Sequence, residues 1–583
     1  MVETMKNVLV LVLFFAAGNI AFAQTNILIT NPEAEAVLKG TYDPTQYAAS
    51  LLIENPVLVA AGMQERISPD SLQVYITRLS TFGTRNTGAD TVSDVTGMGA
   101  SRRWVYEKFK TYSTENEDRL LPFYLQFNQD ICGTGQHRNI CAVLPGANPG
   151  RHGVIIIEGH IDSRCDVLCD VNCAAEGVED NATGTALVME LARVMSAYTY
   201  NQTIVFMVTT GEEQGLFGAD AFATWCQLNN IPVRAVLNND VIGGIICGET
   251  SSPPSCPGFN NIDSTSVRLF SAGSFNSRNK QLARFIKMQY VENLIESEPV
   301  PMNIRIMSPE DRTGRGGDHI PFREKGYASM RFTSANEHGD ASNGPGYEDR
   351  QHTSDDVLGV DTNNDGIIDS FFVDFNYLRR NALINANAAA MAARGVPTPV
   401  NFTGLRSNGQ ITVSITDTAS LGVYRMAIRY LVNDWDTVFT LSGATSGTFP
   451  CNPTGALYLS VAGVDDQGVE SLFTGEKLVS NTTSTEEAGG ESAKNIQLFQ
   501  NRPNPFDEAT WISFWINEVP QYRQAVIQVS DLQGKVIERM PVGLHQGMNE
   551  VLYTHGYGVR GAFSYTLLVD ERVVDTRQMV FAN

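Results

Sequence analysis

Apolar positions in the middle of the chain follow two alternating patterns. Short continuous apolar runs that end in polar clusters appear as HGVIIIEGHID, QTIVFMVTTGEE, VRAVLNNDVIGG and YASMRFTSANE. Amphipathic stretches lie between them, such as residues 182–198, where Leu187, Leu191 and Val194 share one face. Buried strands that alternate with helices predict an α/β domain over residues 66–396, with a mainly parallel, mixed sheet covered by helices on both faces.

The pattern changes after GVPTPV at residues 395–400. Period-two alternation over short segments predicts an all-β sandwich-like module at residues 397–478. Residues 479–494 are rich in Ser, Thr, Gly and Glu, which is typical of a flexible linker. A second β-rich module follows at residues 495–583. Residues 24–65 have no strong period, and we interpret them as an N-terminal arm or a propeptide.

The first residues are typical of an export signal. Lys6 precedes an apolar run at residues 8–17, and Ala21-Phe22-Ala23 fits a signal-peptidase site. We therefore predict a signal peptide at residues 1–23 and a mature chain that starts at Gln24. Because no later segment reaches roughly 18 consecutive apolar residues, we expect no transmembrane anchor.

Charge and cysteine content narrow the possibilities. The formal net charge of −22 argues against nucleic acid or an anionic membrane surface as partner. Export permits disulfides among the nine cysteines, of which the odd number leaves at least one thiol without a partner in the chain. Two pairs bracket short polar segments and are candidates for small disulfide loops: Cys132/Cys141 and Cys247/Cys256.

Candidate chemistry lies where the predicted strands end. In α/β sheets, sites form outside the carboxyl ends of the strands, and imidazole and carboxylate groups are ligands that catalytic Zn²⁺ accepts. Two metals that share a carboxylate could activate one water, provided a nearby free carboxylate shuttles the proton. The residues at these positions are His160, Asp162, Asp180, Glu212, Glu213, Asp240 and His352.

This ordered series resembles the co-catalytic dizinc aminopeptidase family, whose members share the pattern HxD, DNxSG, EE, D and H. The resemblance covers roughly residues 66–396 and implies two Zn²⁺ ions. It implies that His160 and Asp240 ligate one metal, Glu213 and His352 the other, and that Asp180 bridges them. Glu212 then resembles the general base, and Asp162 a carboxylate that orients the imidazole of His160.

A further stretch, GGDHIPFREKGY at residues 316–327, resembles another signature of this family. It implies that Asp318 and His319 lie near the pocket. Two departures stand out: Thr183 replaces the usual serine of DNxSG, and Cys165, Cys169 and Cys173 follow His160. We interpret these cysteines as one disulfide plus one spare thiol, with a soft-ligand metal site as the alternative.

The segment DTNNDGIID at residues 361–369 has the oxygen spacing of a calcium loop. Its candidate Ca²⁺ ligands are Asp361, Asn363, Asp365 and Asp369. Phe372 stands where the loop would place a bidentate acid. A calcium site and a solvated turn are therefore both open.

The two terminal modules also resemble known families. Residues 397–478 are similar to a fibronectin type III domain, on the fragment VAGVDDQGVES. Residues 495–583 resemble the type A sorting domain of the type IX secretion system, on LFQNRPNPFDEATWISFWI, QVSDLQGKVI, GMNEVLY and GAFSYTLLVD. That resemblance implies export through the outer membrane of a Bacteroidota-type cell, the secretion machinery as a partner, and a secreted or cell-surface location.

We expect a secreted zinc-dependent exopeptidase. The resemblance implies an aminopeptidase that cleaves N-terminal peptide bonds with a metal-bridging hydroxide, acting on peptides or proteins with free N-termini. Relatives on the same scaffold leave a glutaminyl cyclase or a carboxypeptidase open, and an inactive secreted binding protein is the alternative from another class. The chain lacks His-Glu-x-x-His and Gly-x-Ser-x-Gly, which disfavours thermolysin-like and serine-hydrolase mechanisms.

Overall fold

A computed structural model gives the structure of the protein. It describes residues 24–50, 55–148, 150, 152–246, 261–273, 277–312, 315–335, 350–430, 433–453, 457–479, 496–506, 509–531, 535–555, 561–570 and 572–581. The predicted signal peptide, almost all of the predicted linker and the Cys247/Cys256 pair lie outside these ranges. Within them, no helix has both the length and the apolar character needed to cross a bilayer.

A nine-stranded mixed sheet forms the centre of the molecule. Its strands are β1 Thr25–Ile29, β2 Leu121–Ile131, β3 Thr134–Leu144, β4 Val154–His160, β5 Thr203–Thr209, β6 Val233–Asn239, β7 Ser266–Phe270, β8 Asn303–Ile306 and β9 Ser329–Ser334. Their order across the sheet is β1-β2-β3-β5-β4-β6-β9-β7-β8. The middle strands β5, β4, β6 and β9 are parallel, and antiparallel strands flank them.

Helices cover both faces of this sheet. They are α1 Pro32–Leu38, α2 Pro56–Arg66, α3 Pro69–Ser80, α4 Gly97–Glu115, α5 Thr183–Met195, α6 Phe217–Leu228, α7 Arg278–Asn293, α8 His319–Glu324 and α9 Phe375–Ala393. Along β4, Ile155 and Ile157 belong to one core cluster, whereas Val154 and Ile156 belong to the other. Both faces of β4 are buried, as its continuous apolar sequence predicts, and the predicted fold class is confirmed.

The described parts of residues 24–65, predicted as an arm or a propeptide, pack into this domain. β1 pairs with β2 at the edge of the sheet, and α2 places Val59 and Met63 in the core. Asn31 and Asn55 each precede a proline and accept backbone N–H groups of the following turn. This combination of a capping side chain and a proline at the first helical position starts α1 and α2. Removal of the segment stays a prediction.

Two β-sandwich modules follow the α/β domain. The strands of the first are β12 Asn401–Ser407, β13 Gln410–Thr416, β14 Val423–Arg429, β15 Thr437–Ser442, β16 Ser446–Pro450, β17 Tyr458–Val464 and β18 Lys477–Leu478. Those of the second are β19 Ile496–Leu498, β20 Ala509–Ile516, β21 Ala525–Asp531, β22 Val536–Pro541, β23 Gly547–Thr554, β24 Gly561–Val569 and β25 Arg572–Phe581. Each module contains a three-stranded and a four-stranded antiparallel sheet. A short hairpin, β10 Gly359–Val360 and β11 Ser370–Phe371, precedes α9.

The first sandwich docks on α7 through a buried ionic contact. Glu476 lies 2.9 Å from Arg284 of α7 and 2.7 Å from Arg429 of β14, and all three side chains are 1% exposed. Phe473 and Val469 of this sandwich belong to the same core cluster as α7 and α9. The α/β domain and the first sandwich therefore share a continuous interior.

Two disulfides lie beside β4. Cys132, in the turn between β2 and β3, bonds Cys169, so the predicted Cys132/Cys141 pair is wrong. Cys141 is a buried free thiol because its position on β3 faces the core. Cys165 bonds Cys173, which confirms one disulfide among the three clustered cysteines. The spare thiol predicted there is wrong, since Cys169 is already bonded.

Candidate metal centre

Three neighbouring parallel strands bring their carboxyl ends together at one edge of the sheet. His160 ends β4 and stands opposite Thr209, the last residue of β5. Asp240 directly follows β6, and Glu212 lies in the turn after β5. The parallel register thus places an imidazole and two carboxylates at the same edge, as the position of such sites in α/β folds predicts.

Asp180 and His352 reach this edge from loops. Asp180 lies in a π turn, Val178–Ala182, that leads into α5. The carboxylate of Asp356 accepts the backbone N–H of Glu179 at 2.8 Å and that of Asp180 at 3.0 Å. These two bonds help to hold the turn in place, because they satisfy backbone donors at a helix entry, where Asn181 Oδ1 also accepts the backbone N–H of Gly184 at 2.8 Å.

The six predicted side chains form two groups of three. His160, Glu212 and Asp240 make the first, and Asp180, Glu213 and His352 make the second; within each group one ligand atom per residue lies within 4.8 Å of the others. In the first group, Nε2 of His160 is 3.4 Å from Asp240 Oδ1 and 3.9 Å from Glu212 Oε2. In the second, Nε2 of His352 is 3.3 Å from Glu213 Oε2.

Asp180 joins the two groups. Its Oδ1 lies 3.1 Å from Nε2 of His160, and its Oδ2 lies 2.9 Å from Nε2 of His352. One carboxylate thus faces both imidazoles with a different oxygen. That placement is the one a carboxylate bridging two ions requires.

The donor atoms fit divalent metal ions. Imidazole nitrogens and carboxylate oxygens are the ligands of catalytic zinc. Oε1 of Glu213 is buried without a hydrogen-bond partner, and Asp180, Asp240 and His160 are all below 5% exposed. Such crowded, buried anionic oxygens are costly unless cations neutralise them.

Ionisation within the cluster reflects this crowding. Burial lowers the pKa of His160, but the charge of Glu212 and bonds to neighbouring carboxylates outweigh it, so the pKa lies well above its usual value. Burial raises the pKa of Asp180, but hydrogen bonds from His160 and His352 hold it well below the usual range.

Burial and neighbouring charges shift the pKa of Glu212, the predicted general base. Burial raises the pKa of its carboxyl group well above the ordinary value; the charge of His160 opposes this shift and that of Asp240 adds to it. A carboxylate with a raised pKa accepts a proton more readily near neutral pH. Glu212 nevertheless also belongs to the first group of candidate ligands, so its role as base stays a prediction.

Asp162 lies directly behind both groups. Nδ1 of His160 is 3.0 Å from the backbone carbonyl oxygen of Asp162 and 3.7 Å from its side-chain Oδ1. The other carboxylate oxygen accepts the backbone N–H of Glu213 at 3.1 Å and the hydroxyl of Thr87 at 3.3 Å. The predicted contact of Asp162 with the imidazole is thus closest through its main chain, and its side chain positions the turn of Glu213.

Asp318 and His319 lie beneath the site. Both are fully buried, and Asp318 accepts a short hydrogen bond from the hydroxyl of Thr209, next to His160 in the sheet. Burial raises the pKa of Asp318 to about 7. Nε2 of His319 lies 3.2 Å from the carbonyl oxygen of Glu310. Neither residue lines the cavity described below.

A cavity of about 370 Å³ opens over the two groups. Besides Asp180, Glu212, Glu213, Asp240 and His352, its described lining consists of Arg164, Gln214, Gly215, Leu216, Arg312, Arg315, Gly316, Arg331 and Gln351. A substrate group in this space would meet both the candidate ligands and the guanidinium groups of the lining.

Four residues of the candidate metal site were not identified from the sequence. Asp356 follows His352 by four residues, and Gln351 directly precedes it, with its amide donating to Asp180 Oδ2 at 2.5 Å. Arg331 lies 3.2 Å from Asp240 Oδ2. Its position as a single charged residue inside the apolar run YASMRFTSANE is a sequence feature that could have identified it. Arg164 lies 2.8 Å from Glu213 Oε2, and no sequence pattern marks it.

The candidate calcium loop lies apart from this cluster. It connects β10 to β11, and its acidic side chains accept local backbone N–H groups: Asp361 from Gly366 at 2.6 Å and Asp369 from Thr362 at 3.0 Å. These bonds lower the pKa of Asp361 and of Asp369. Ca²⁺ binding by Asp361, Asn363, Asp365 and Asp369 stays a prediction.

Two groups of imidazole and carboxylate side chains thus lie at the carboxyl edge of a mixed sheet, where they could hold divalent metal ions. Residues 139–370 match the sequence profile of Peptidase family M28. A protein of Leptosphaeria maculans named "Probable zinc metalloprotease" is 27% identical over 427 residues, which are 70% of this chain and 94% of that protein. One of Pyricularia oryzae with the same description is 31% identical over 58% of this chain and 66% of its own length. Over the α/β domain the chain is therefore similar to Peptidase family M28 and to proteins described as probable zinc metalloproteases.

Solved structures also resemble the chain. An aminopeptidase of Legionella pneumophila, LapA, is 20% identical, with a TM-score of 0.41 over 58% of this chain and 75% of its own. A glutaminyl cyclase of Porphyromonas gingivalis is 15% identical, with a TM-score of 0.37 over 55% of this chain and 97% of its own.

Proposed function

We propose that the protein is a dizinc exopeptidase, and specifically an aminopeptidase. One observation carries the proposal: Asp180 faces His160 with one oxygen and His352 with the other, at 3.1 and 2.9 Å, beneath an open cavity. A single zinc site needs no such shared carboxylate. His160 and Asp240 would hold one ion, Glu213 and His352 the other, and Asp180 both.

The bound metals would supply activation of water and polarisation of the scissile carbonyl. Glu212, a member of the first group, borders the cavity, and in our proposal its carboxylate accepts the proton of the attacking water and returns it to the departing amine nitrogen. Asp162 and Asp356 hold the backbone of Glu213 and Asp180, so the ligand side chains are fixed before substrate arrives.

An assay with three substrate classes tests the proposal. The zinc-loaded protein is incubated with aminoacyl-nitroanilides, with N-blocked peptides that have a free carboxyl terminus, and with peptides that begin with glutamine. We expect release from the nitroanilides. Hydrolysis of the second class alone would make the enzyme a carboxypeptidase, and cyclisation of the third alone would make it a glutaminyl cyclase; either result overturns the aminopeptidase proposal.

We also propose that the enzyme is secreted through the type IX machinery and that residues 495–583 are the address for this export. The support is the sequence resemblance of that module together with the predicted signal peptide at residues 1–23. Mass spectrometry of the protein recovered from culture medium tests the proposal. We expect a chain that starts at Gln24 and lacks the last module, whereas protein retained in the cells at full length would contradict it.

A further inference from the structure

The charged lining of the cavity is unevenly distributed. All four carboxylates among its described residues belong to the two candidate ligand groups. The remaining charged side chains of that described lining are guanidinium groups, from Arg164, Arg312, Arg315 and Arg331. Once two divalent cations balance the carboxylates, the arginines dominate the potential in the cavity, which favours a substrate that also carries an anionic group.

Asp311, a carboxylate outside the two ligand groups, holds two of these arginines, and Arg164 in turn lies 2.8 Å from Glu213 Oε2 of the second ligand group. Arg331 lies 3.2 Å from Asp240 and 2.9 Å from Asp311, and Arg312 lies 3.3 Å from the same Asp311. All four groups are below 5% exposed. Arg331 and Arg312 therefore belong to the buried framework of the site.

The other two arginines flank His352 at the cavity surface. Arg164 donates to Nδ1 of His352 at 2.7 Å, and Arg315 lies 3.5 Å from Nε2 of the same ring. Arg315 also donates to the side-chain oxygen of Gln351 at 3.1 Å. Both arginines are only partly buried. Two guanidinium groups thus stand on the two sides of one candidate ligand.

Metal ligation changes what Arg164 can bond. A neutral imidazole offers one donor and one acceptor nitrogen. If Nε2 of His352 gives its lone pair to a metal, Nδ1 carries the proton and no longer accepts from Arg164. An N–H group of Arg164 at the mouth of the site then needs another acceptor, and a carboxylate is the group whose geometry matches a guanidinium fork.

The loop that carries Arg164 is fixed by covalent bonds. Cys165, the next residue, bonds Cys173, and Cys169 bonds Cys132 in the turn between β2 and β3. Carbonyl oxygens of Cys165 and Asp166 accept further bonds from the guanidinium. Arg164 is therefore held at the cavity before any substrate binds, which reduces the entropy cost of a contact with it.

We propose that Arg164 and Arg315 bind a carboxylate of the substrate, so that the preferred substrates carry a negative charge beside the scissile bond. This inference rests on the proposed peptidase function and adds the substrate class to it. The carboxylate has two sources: the side chain of an acidic N-terminal residue, or the free carboxyl terminus of a short peptide.

Pairs of substrates that differ only in this charge test the inference on the full zinc-loaded chain. One arm compares aspartyl- with asparaginyl-nitroanilide, and the other compares a peptide that has a free carboxyl terminus with its C-terminal amide. We expect the charged member of one pair to have a higher kcat/KM by about 10- to 100-fold, as for a charge-assisted hydrogen bond. The arm that shows the ratio identifies the source of the carboxylate.

Substitutions of the two arginines test whether they cause the preference for the charged substrate. Arg315→Gln and Arg164→Gln should each reduce the ratio toward one, and Arg315→Lys should restore part of it. Arg78→Gln, which removes a charge from the exposed surface of α3, is the matched control and should keep the wild-type ratio. Calorimetric titration of the zinc-loaded protein with aspartate and with asparagine adds a readout that is independent of turnover, and aspartate should bind more tightly.

The outcomes separate the two proposals. Hydrolysis with equal kcat/KM for the charged and neutral members of both pairs would leave the peptidase proposal standing and overturn the carboxylate inference. Absence of hydrolysis of every substrate would overturn the peptidase proposal, and equal binding of aspartate and asparagine would then overturn the inference as well. Unchanged ratios in Arg315→Gln and Arg164→Gln would also contradict it.

Discussion

A side-chain oxygen of Asp162 accepts the backbone N–H of Glu213 at 3.1 Å. This bond joins the segment directly after β4, which ends at His160, to the turn after β5 that supplies Glu213; these two residues belong to different ligand groups. Because Asp162 is fully buried, water cannot replace the bond. The carboxylate of Asp162 therefore couples the geometry of the two candidate metal sites.

Replacing Asp162 with alanine should weaken metal binding. The variant leaves the N–H of Glu213 without its acceptor and frees the turn, and loss of such an orienting partner costs about 10- to 100-fold in metal affinity. Zinc affinity is measured by competition with a chelator. Asp166→Ala, in the exposed part of the same loop, is the control and should bind zinc as the wild type does. Wild-type affinity in Asp162→Ala would show that the bond is dispensable.

Glu212→Gln should separate metal binding from turnover. The amide keeps the shape of the side chain but cannot accept the proton, so we expect kcat to fall by about 10²- to 10⁴-fold while zinc content stays near that of the wild type. Metal analysis and steady-state kinetics on the same preparation check this. A variant that loses zinc in proportion to activity would make Glu212 a ligand, as its place beside His160 and Asp240 permits.

Asp180→Asn should lower the affinity for both metals at once. An amide offers one oxygen instead of two anionic ones, and Asp180 is the residue that faces both imidazoles. Zinc titration followed by calorimetry should show weaker binding at both steps. Asp240→Asn is the matched comparison and should weaken only one step. If Asp180→Asn, like Asp240→Asn, weakened only one zinc-binding step, the result would contradict Asp180 as a bridge between the two metals.

Metal-free protein should lose stability as pH rises, and zinc should prevent this loss. The pKa values of His160 and His352 in the folded state are raised by neighbouring carboxylates, although burial opposes the shift, and burial raises that of Glu158 well above the usual value. A group whose pKa is raised on folding contributes most to the stability of the folded state at pH values below its pKa in the unfolded chain, about 6.5 for histidine. This contribution to stability is lost as the pH rises through the pKa of the folded state.

Thermal unfolding of chelator-treated and zinc-saturated protein, at about pH 6 and about pH 9, measures this effect on either side of the unfolded histidine value. We expect the stabilisation by zinc to be larger at the higher pH, because metal binding requires deprotonated imidazole. A stabilisation that does not grow with pH would argue against the assignment of both imidazoles as ligands.

Glu476→Gln should destabilise the contact between α7 and the first sandwich. The variant leaves Arg284 and Arg429 buried beside a neutral amide, and breaking a buried ion pair in this way costs about 3–5 kcal/mol. Chemical denaturation measures the change. Glu292→Gln removes a more exposed partner of Arg425 at the same boundary and should cost far less. Equal losses of unfolding free energy in the two variants would mean that burial does not determine the contribution of these ion pairs.

The sequence was sufficient for the α/β class and for the residues that meet at the sheet edge. Buried parallel strands have continuous apolar runs, and their ends are marked by the first polar residues, so His160 and Asp240 could be located without coordinates. Asp180 and His352 were assigned through a family resemblance, since loop residues have no periodicity that predicts where they lie.

The remaining contacts depend on pairings between distant segments. Cys132 bonds Cys169 rather than the nearer Cys141, because Cys141 points into the core of the sheet. Arg164 meets His352 only because this disulfide and its neighbour fix the loop beside β4. Such contacts follow from tertiary packing, and spacing along the chain does not predict them.

The shared interior of the α/β domain and the first sandwich also limits how this protein can be rearranged. Phe473 and Val469 are packed with the helices of the α/β domain, and Glu476 neutralises a guanidinium that α7 would otherwise bury alone. Exchange of this sandwich for an unrelated one, by recombination or by engineering, would leave the buried guanidinium of Arg284 without the carboxylate of Glu476. Substitutions in helix α7 and in the sandwich are therefore expected to be coupled in evolution.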